Sequence, residues 1–186
     1  MLTLPVIRTT ETQNLLLREL RTEDAAAMAG FMTQKRYHRF ISHRLHNEAE
    51  VSAFIGRQVA AQGELHRHVF HLAAEERQSR EVVGDGFLIV HHDKSVEMGW
   101  GLHPALWRVG FGTEIGQALL GLAVERLKAT SVWCKVMRPN VASASLAKRI
   151  GMKHSETKHN FSVGHGHHED VDVFKITDED YFDLSY

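Results

Sequence analysis

The chain predicts a single mixed α/β domain: one mostly antiparallel sheet flanked by helices. Three observations predict it. Apolar strand-like runs and amphipathic helical segments succeed one another along the whole chain. Three strand-like runs between residues 66 and 102 follow each other with only short polar turns between them, as antiparallel neighbours do. No internal repeat, low-complexity tract or linker divides the 186 residues, so one domain is expected over 1–186.

The elements follow in order. Leu15 to Leu20 reads as a first strand. Thr22 is placed to cap a helix that begins with Glu23 and Asp24, whose charges suit a first turn, and runs to about Met32. Asn47 caps a second helix with Val51, Phe54, Ile55 and Val59 at helical spacing, ended by Gln62 and Gly63. His66 to Ala74 is strand-like, Glu75 to Arg80 is a hairpin loop, and Glu81 to Val90 is a strand with a bulge or bend expected at Gly84-Asp-Gly86. His91 to Lys94 turns the chain into a strand over Ser95 to Leu102. Ile115, Leu119, Leu122, Ala123 and Leu127 form one face of a helix. Ser131 to Met137 is a buried strand, broken by Pro139-Asn140. A short helix from Ala142 to Ile150 stops at Gly151, and His154 to Val163 with Asp170 to Thr177 forms a closing hairpin around Gly164-His-Gly166. The tail from Asp178 is acidic and expected to be peripheral.

Composition excludes several classes. Hydrophobic content of 43% and charged content of 24% are those of a soluble globular protein. No apolar run reaches membrane-spanning length, and the N-terminus lacks the features of a signal peptide. Cys134 is the only cysteine, so no intramolecular disulfide can form, and a cytoplasmic home is expected. A net charge of −1 argues against a dedicated nucleic-acid binder.

The most informative stretch is Trp107-Arg-Val-Gly-Phe-Gly-Thr-Glu114. Two glycines one residue apart precede a helix, and a helix N-terminus behind such a turn is a ready phosphate site. An ordinary left-handed turn has the same appearance. No Gly-Lys-Ser/Thr follows, which excludes a Walker loop, and Glu114 stands where a dinucleotide fingerprint needs its third glycine.

With these motifs the chain resembles the GNAT superfamily of acyl-CoA-dependent N-acetyltransferases, and within it the Rim type, whose named members acetylate N-terminal amines of ribosomal proteins. Five pieces carry the resemblance: Thr12 to Arg18 with Glu23-Asp24; Glu97-Met-Gly-Trp100 with Leu102-His-Pro104; the glycine loop; Pro139 to Ser143 with Ala147 to Met152; and His168 to Phe174. Trp107 stands where the wider superfamily has Gln or Arg, and the Rim type commonly has an aromatic. Ala147 stands where many members have a tyrosine acid, which rules out a tyrosine mechanism at that position.

The resemblance implies acetyl-CoA as cosubstrate and direct transfer to an amine, a protein N-terminus or a small molecule. Backbone N–H groups from Val109 to Thr113, including Gly110, Phe111 and Gly112, would hold the pyrophosphate, and Arg108 or Trp107 would add contacts. The strand at Trp100, Gly101 and Leu102 would splay from its neighbour and pair with pantetheine. Glu97 is the candidate general base, or a glutamate on a solvated strand face. Ser143 is the candidate stabiliser of the departing thiolate and Asn140 a pantetheine contact; both also suit helix capping.

The remaining features read as follows. Cys134 is expected to be a buried, inert thiol. His165, His167 and His168 suit a polar hairpin better than a metal site, so no metal is expected; His103 is a further candidate for proton transfer. Residues 35–46 are basic, with Tyr37 and Phe40 interleaved, and form an acceptor-side rim or a solvated loop. A non-catalytic acyl-CoA-binding regulator is the alternative reading. A third is an RNA-binding module on residues 35–46, which requires salt-dependent RNA affinity lost on neutralising Arg36, Arg39 and Arg44. The expected assembly is a monomer or homodimer.

Overall fold

A computed structural model describes residue 7 and residues 9–42, 44–164 and 166–184. Its strands are β1 (Thr10–Glu11), β2 (Leu15–Glu19), β3 (Val69–Glu76), β4 (Val82–Val90), β5 (Ser95–Leu102), β6 (Ser131–Met137), β7 (Lys153–Gly164) and β8 (His167–Thr177). They form one sheet in the order β1-β2-β3-β4-β5-β6-β8-β7. Neighbours are antiparallel except β5 and β6, which run parallel. The helices are α1 (Asp24–Met32), α2 (Lys35–His38), α3 (Glu48–Ala61), α4 (Phe111–Gly121), α5 (Val141–Arg149) and α6 (Asp178–Leu184). A π-helical turn, Leu122–Arg126, continues α4.

Side-chain alternation divides the sheet into two buried faces. On one, Leu15, Leu17, Phe70, Leu72, Leu88, Val96, Met98 and Val132 pack with Ile115 and Leu119 of α4. On the other, Leu20 and Ala73 pack with Met28 and Phe31 of α1 and with Val51 and Ile55 of α3.

Several local expectations are corrected. Thr22 does not cap α1: the N-cap is Glu23, with no side-chain hydrogen bond. The Asp24 carboxylate instead accepts two hydrogen bonds from buried Arg18, each 2.8 Å, and one from the Arg21 N–H at 2.8 Å. Arg18 also donates to Glu75 at 2.8 Å, so a buried guanidinium bridges α1 and β3. Burial alone would raise the Asp24 carboxyl; the Arg18 and Arg21 contacts outweigh it and hold it below the ordinary carboxylate range. The bulge falls at Val83, where the register slips between Ala74↔Gly84 and Glu75↔Val82, one residue before the predicted glycines. The acidic tail is peripheral as read, with no buried residue, and forms a helix whose Leu184 side chain lies where a β-carbon on Gly151 would be. Asn47 caps α3 as read, accepting from the Glu50 N–H at 2.9 Å.

Candidate active site

The parallel pair β5/β6 has three rungs: Ser95↔Ser131, Val96↔Val132 and Glu97↔Trp133. Beyond Glu97 the strands part, so among the described residues the β6-side edge of residues 98–102 has no strand partner, while β4 pairs the other edge as far as Gly84↔Leu102. This is the splay that the sequence led us to expect. An unpaired row of N–H and C=O groups is a template for another extended chain. One member is already used, since the Leu102 carbonyl accepts from Trp107 Nε1 at 3.1 Å.

The glycine loop leads into α4. Arg108 (φ 73°) and Gly110 (φ 99°) are both left-handed, and Gly110 is the N-cap. Gly110 therefore supplies the turn. Gly112 has another duty: it lies inside α4, where a β-carbon would stand 3.0 Å from Leu146 of α5, and one on Gly116 would stand 2.9 Å from it. The spacing Gly112-x-x-x-Gly116 lets α5 pack closely on α4. The Thr113 N–H does not face a ligand as expected; it donates to the Gly110 carbonyl at 2.9 Å, closing the first turn. Residues 107–110 are exposed, and the first-turn N–H groups of α4 face the anion-favouring end of the helix dipole. Arg149 of α5 donates to Thr113 Oγ1 at 3.1 Å and brings a second guanidinium to this turn, a residue that the motif reading did not single out.

Glu97 lies at the vertex of the splay, on the face opposite Val96 and Met98, mostly buried. Its Oε1 is 3.1 Å from Lys135 Nζ and its Oε2 is 3.9 Å from His91 Nε2. Both side chains come from neighbouring segments, which one-dimensional reading could not pair. The Asn140 side chain caps α5 by accepting from the Ser143 N–H at 3.2 Å, so the capping half of the double reading is present, with Ser143 half-buried. His103 Nδ1 accepts from the Ala105 N–H at 3.1 Å, which caps a short 3-10 turn.

The basic segment is not a uniform rim. Tyr37 and His38 of α2 turn inward, while Arg36 lies over the Trp107 ring, 5.1 Å from its centroid, and so ties α2 to the glycine loop. Tyr37 Oη donates to Asp85 Oδ1 at 2.6 Å, and His71 Nε2 sits 2.7 Å from Asp85 Oδ2. The sequence reading named Tyr37 only as an aromatic of the basic segment and gave neither Asp85 nor His71 a role; Tyr37 and Asp85 abut Gly101. Cys134 is buried as expected, and burial pushes its thiol up to about 12. Among the described residues no three His, Cys, Asp or Glu side chains gather as metal ligands. His165 of the histidine hairpin lies outside the described residues. No described helix is long and apolar enough to cross a membrane.

A family model for an acetyltransferase (GNAT) domain matches residues 14–153. The uncharacterized N-acetyltransferase YoaA of Bacillus subtilis is 23% identical over 168 residues, 89% of this chain and 94% of YoaA. An acetyltransferase (GNAT family) from Bacillus anthracis superposes with a TM-score of 0.82 at 16% identity, over 92% of this chain and 99% of that one. RimJ of Mycobacterium smegmatis, solved in complex with CoA-disulfide, superposes with a TM-score of 0.79 at 18% identity, over 89% of this chain and 82% of its own.

Proposed function

The chain belongs to the GNAT acetyltransferase family, and from that premise we propose that it moves an acetyl group from acetyl-CoA to a primary amine by direct attack. The single observation that carries this reading is the splay of β5 from β6 beyond Glu97, opened beside the N-terminus of α4. The pantetheine arm pairs with the free edge at Trp100 and the Leu102 N–H, whereas the N–H and C=O of Gly101 turn toward Asp85 of β4. The pyrophosphate takes the N–H groups of Val109, Gly110, Phe111 and Gly112, with Arg108 and Arg149 as counter-charges. Glu97, directly or through a water, takes a proton from the acceptor ammonium, and an N–H of the β5 edge polarises the thioester carbonyl. Ser143 stabilises the departing thiolate, and Asn140 hydrogen-bonds the pantetheine or a bound water.

The Rim-type resemblance and the RimJ superposition favour a protein N-terminus as acceptor over a small amine. On this reading residues 1–186 act as one cytoplasmic unit, a monomer or homodimer.

Titration calorimetry tests the cofactor first. Micromolar binding of acetyl-CoA and CoA, with none of NAD, is expected; no binding of acetyl-CoA sinks the reading. A thiol-release assay then compares hexapeptides with free N-terminal Ser or Ala against small primary amines. Turnover lost in Glu97→Gln and reduced in Ser143→Ala supports the roles given; unchanged turnover in both removes them.

A further inference from the structure

Amide formation from an ammonium removes two protons from nitrogen, one before attack and one from the tetrahedral adduct. Glu97 accounts for the first. The acceptor face of β5 presents Glu97, Gly99 and Gly101, and their partners on β4 are Ile89, Phe87 and Asp85. A second carboxylate therefore stands on the same face, two register positions beyond the Phe87/Gly99 pair from Glu97's side of the splay.

Asp85 is 5% exposed. Among the described residues its ion-pair contact is with His71, with no lysine or arginine upon it. Burying a carboxylate is costly unless hydrogen bonds satisfy it, and Tyr37 and His71 each hold one of its oxygens. Tyr37 Oη and Asp85 Oδ1 occupy the space above Gly101, 2.1 Å and 2.4 Å from where a β-carbon would stand. A hydroxyl already bonded to a carboxylate thus rests on the strand that lines the splay. Tyr37 belongs to α2, whose Arg36 stacks on Trp107, so one short helix touches both this pair and the glycine loop.

We infer that Tyr37 and Asp85 form a proton relay that accepts the second proton, with His71 as a positioning residue. The inference rests on the acetyl-transfer reading above. As the C–S bond of the adduct breaks, its electron pair leaves with sulfur as the CoA thiolate. The N–H proton passes to Tyr37 Oη, and the proton already on Tyr37 passes to Asp85 Oδ1. The nitrogen keeps the electron pair of that N–H bond, which conjugates with the re-formed carbonyl. Burial, and after it Asp85, hold the Tyr37 phenol well above its ordinary range, so the phenol relays a proton without resting as phenolate.

The test uses the full chain, acetyl-CoA and the acceptor panel named above. Tyr37→Phe and Asp85→Asn are each expected to lower kcat about 10²-fold, with acceptor KM moving less than about threefold. The rate in H2O–D2O mixtures is expected to curve in the parent, where more than one proton moves, and to become linear in Tyr37→Phe. His71→Gln, which keeps a donor toward Asp85, is expected to retain activity that His71→Ala loses. Acetyl-CoA affinity checks the fold; should Asp85→Asn lose it, Tyr37→Phe, which deletes one oxygen, carries the test. A Tyr37→Phe variant with parental kcat, or with reduced kcat and the parent's curvature, overturns the relay and leaves the transferase reading standing. A parent inactive across the whole panel overturns both.

Discussion

Replacing Gly101 by alanine places one methyl group against the residues that line the acceptor face. Its carbon would stand 2.1 Å from Tyr37 Oη and 2.4 Å from Asp85 Oδ1, where ordinary contact begins at 3.4 Å. Both oxygens must retreat by about 1 Å, in a core where added volume costs roughly 1–3 kcal/mol. Neither is free to do so: Phe31 packs edge-on against Tyr37, ring centroids 5.3 Å apart, and His71 holds the other oxygen of Asp85. Losing or straining a hydrogen bond to a buried charge adds about 1.5–3 kcal/mol. Restricting the unfolded backbone returns about 0.4–1 kcal/mol. The net expectation is a loss of about 1.5–5.5 kcal/mol. Urea unfolding reads it as a lower midpoint at unchanged slope. A loss under about 0.5 kcal/mol, the range of an inconsequential surface change, would refute the packing argument and the closeness of Tyr37 to β5.

Four further perturbations test other parts of the fold. Arg18→Met leaves the buried Asp24 carboxylate without its guanidinium, while Glu75 keeps its ion pair with Arg80, 2.9 Å away, and should cost about 3–5 kcal/mol by urea unfolding. In the parent, the stability that Arg18 lends through Asp24 is present above the unfolded carboxyl pKa of about 3.9 and is lost as pH falls through the depressed folded value; acid titration of the unfolding midpoint should be shallower in Asp24→Asn. Gly30→Ala, in α1 with open space around the new methyl, should stabilise by about 0.5–1 kcal/mol in the same assay. In Gly116→Ala the clash with Leu146 and Ile150, about 1–3 kcal/mol, is offset by the roughly 1 kcal/mol that alanine gains over glycine in a helix, for a net loss of up to about 2 kcal/mol with acetyl-CoA affinity kept; a stabilisation of about 1 kcal/mol would remove the packing role of that glycine.

Local signals were legible, and side-chain partnerships across the sheet were not. The bounds of β5, Ser95–Leu102, and the caps at Asn47 and Asn140 depend on residues a few positions apart, and they read correctly. The Thr22 cap failed because Asp24 is claimed by Arg18, a strand residue that Glu75 also holds from 57 positions away. Helix α2 was hidden by its charges: Lys35 and Arg36 read as a solvated rim, while Tyr37 and His38 point into the core. Among the candidate site residues, the placing of Glu97 at the vertex follows from its strand, but Lys135 beside it required the β5/β6 register. Tyr37 and Asp85 are 48 residues apart, and only the folded sheet sets them together on Gly101. The alternation Glu97, Gly99, Gly101 was the available hint, since two glycines on one strand face make room for something bulky opposite.

The three rungs between β5 and β6 have a mechanical consequence. Five strands lie on one side of that seam and three on the other, and the sheet across it is stitched at one end only. A ligand that lies along the open end would serve as thread as well as reactant, completing the seam with main-chain-like hydrogen bonds. Its concentration would then set how firmly the halves are joined, contributing about 2.7 kcal/mol at a hundredfold excess over Kd. Amide exchange in residues 98–102 and 134–137 would slow together as the seam closes, and the enzyme would be least rigid at the moment between releasing one CoA and taking up the next.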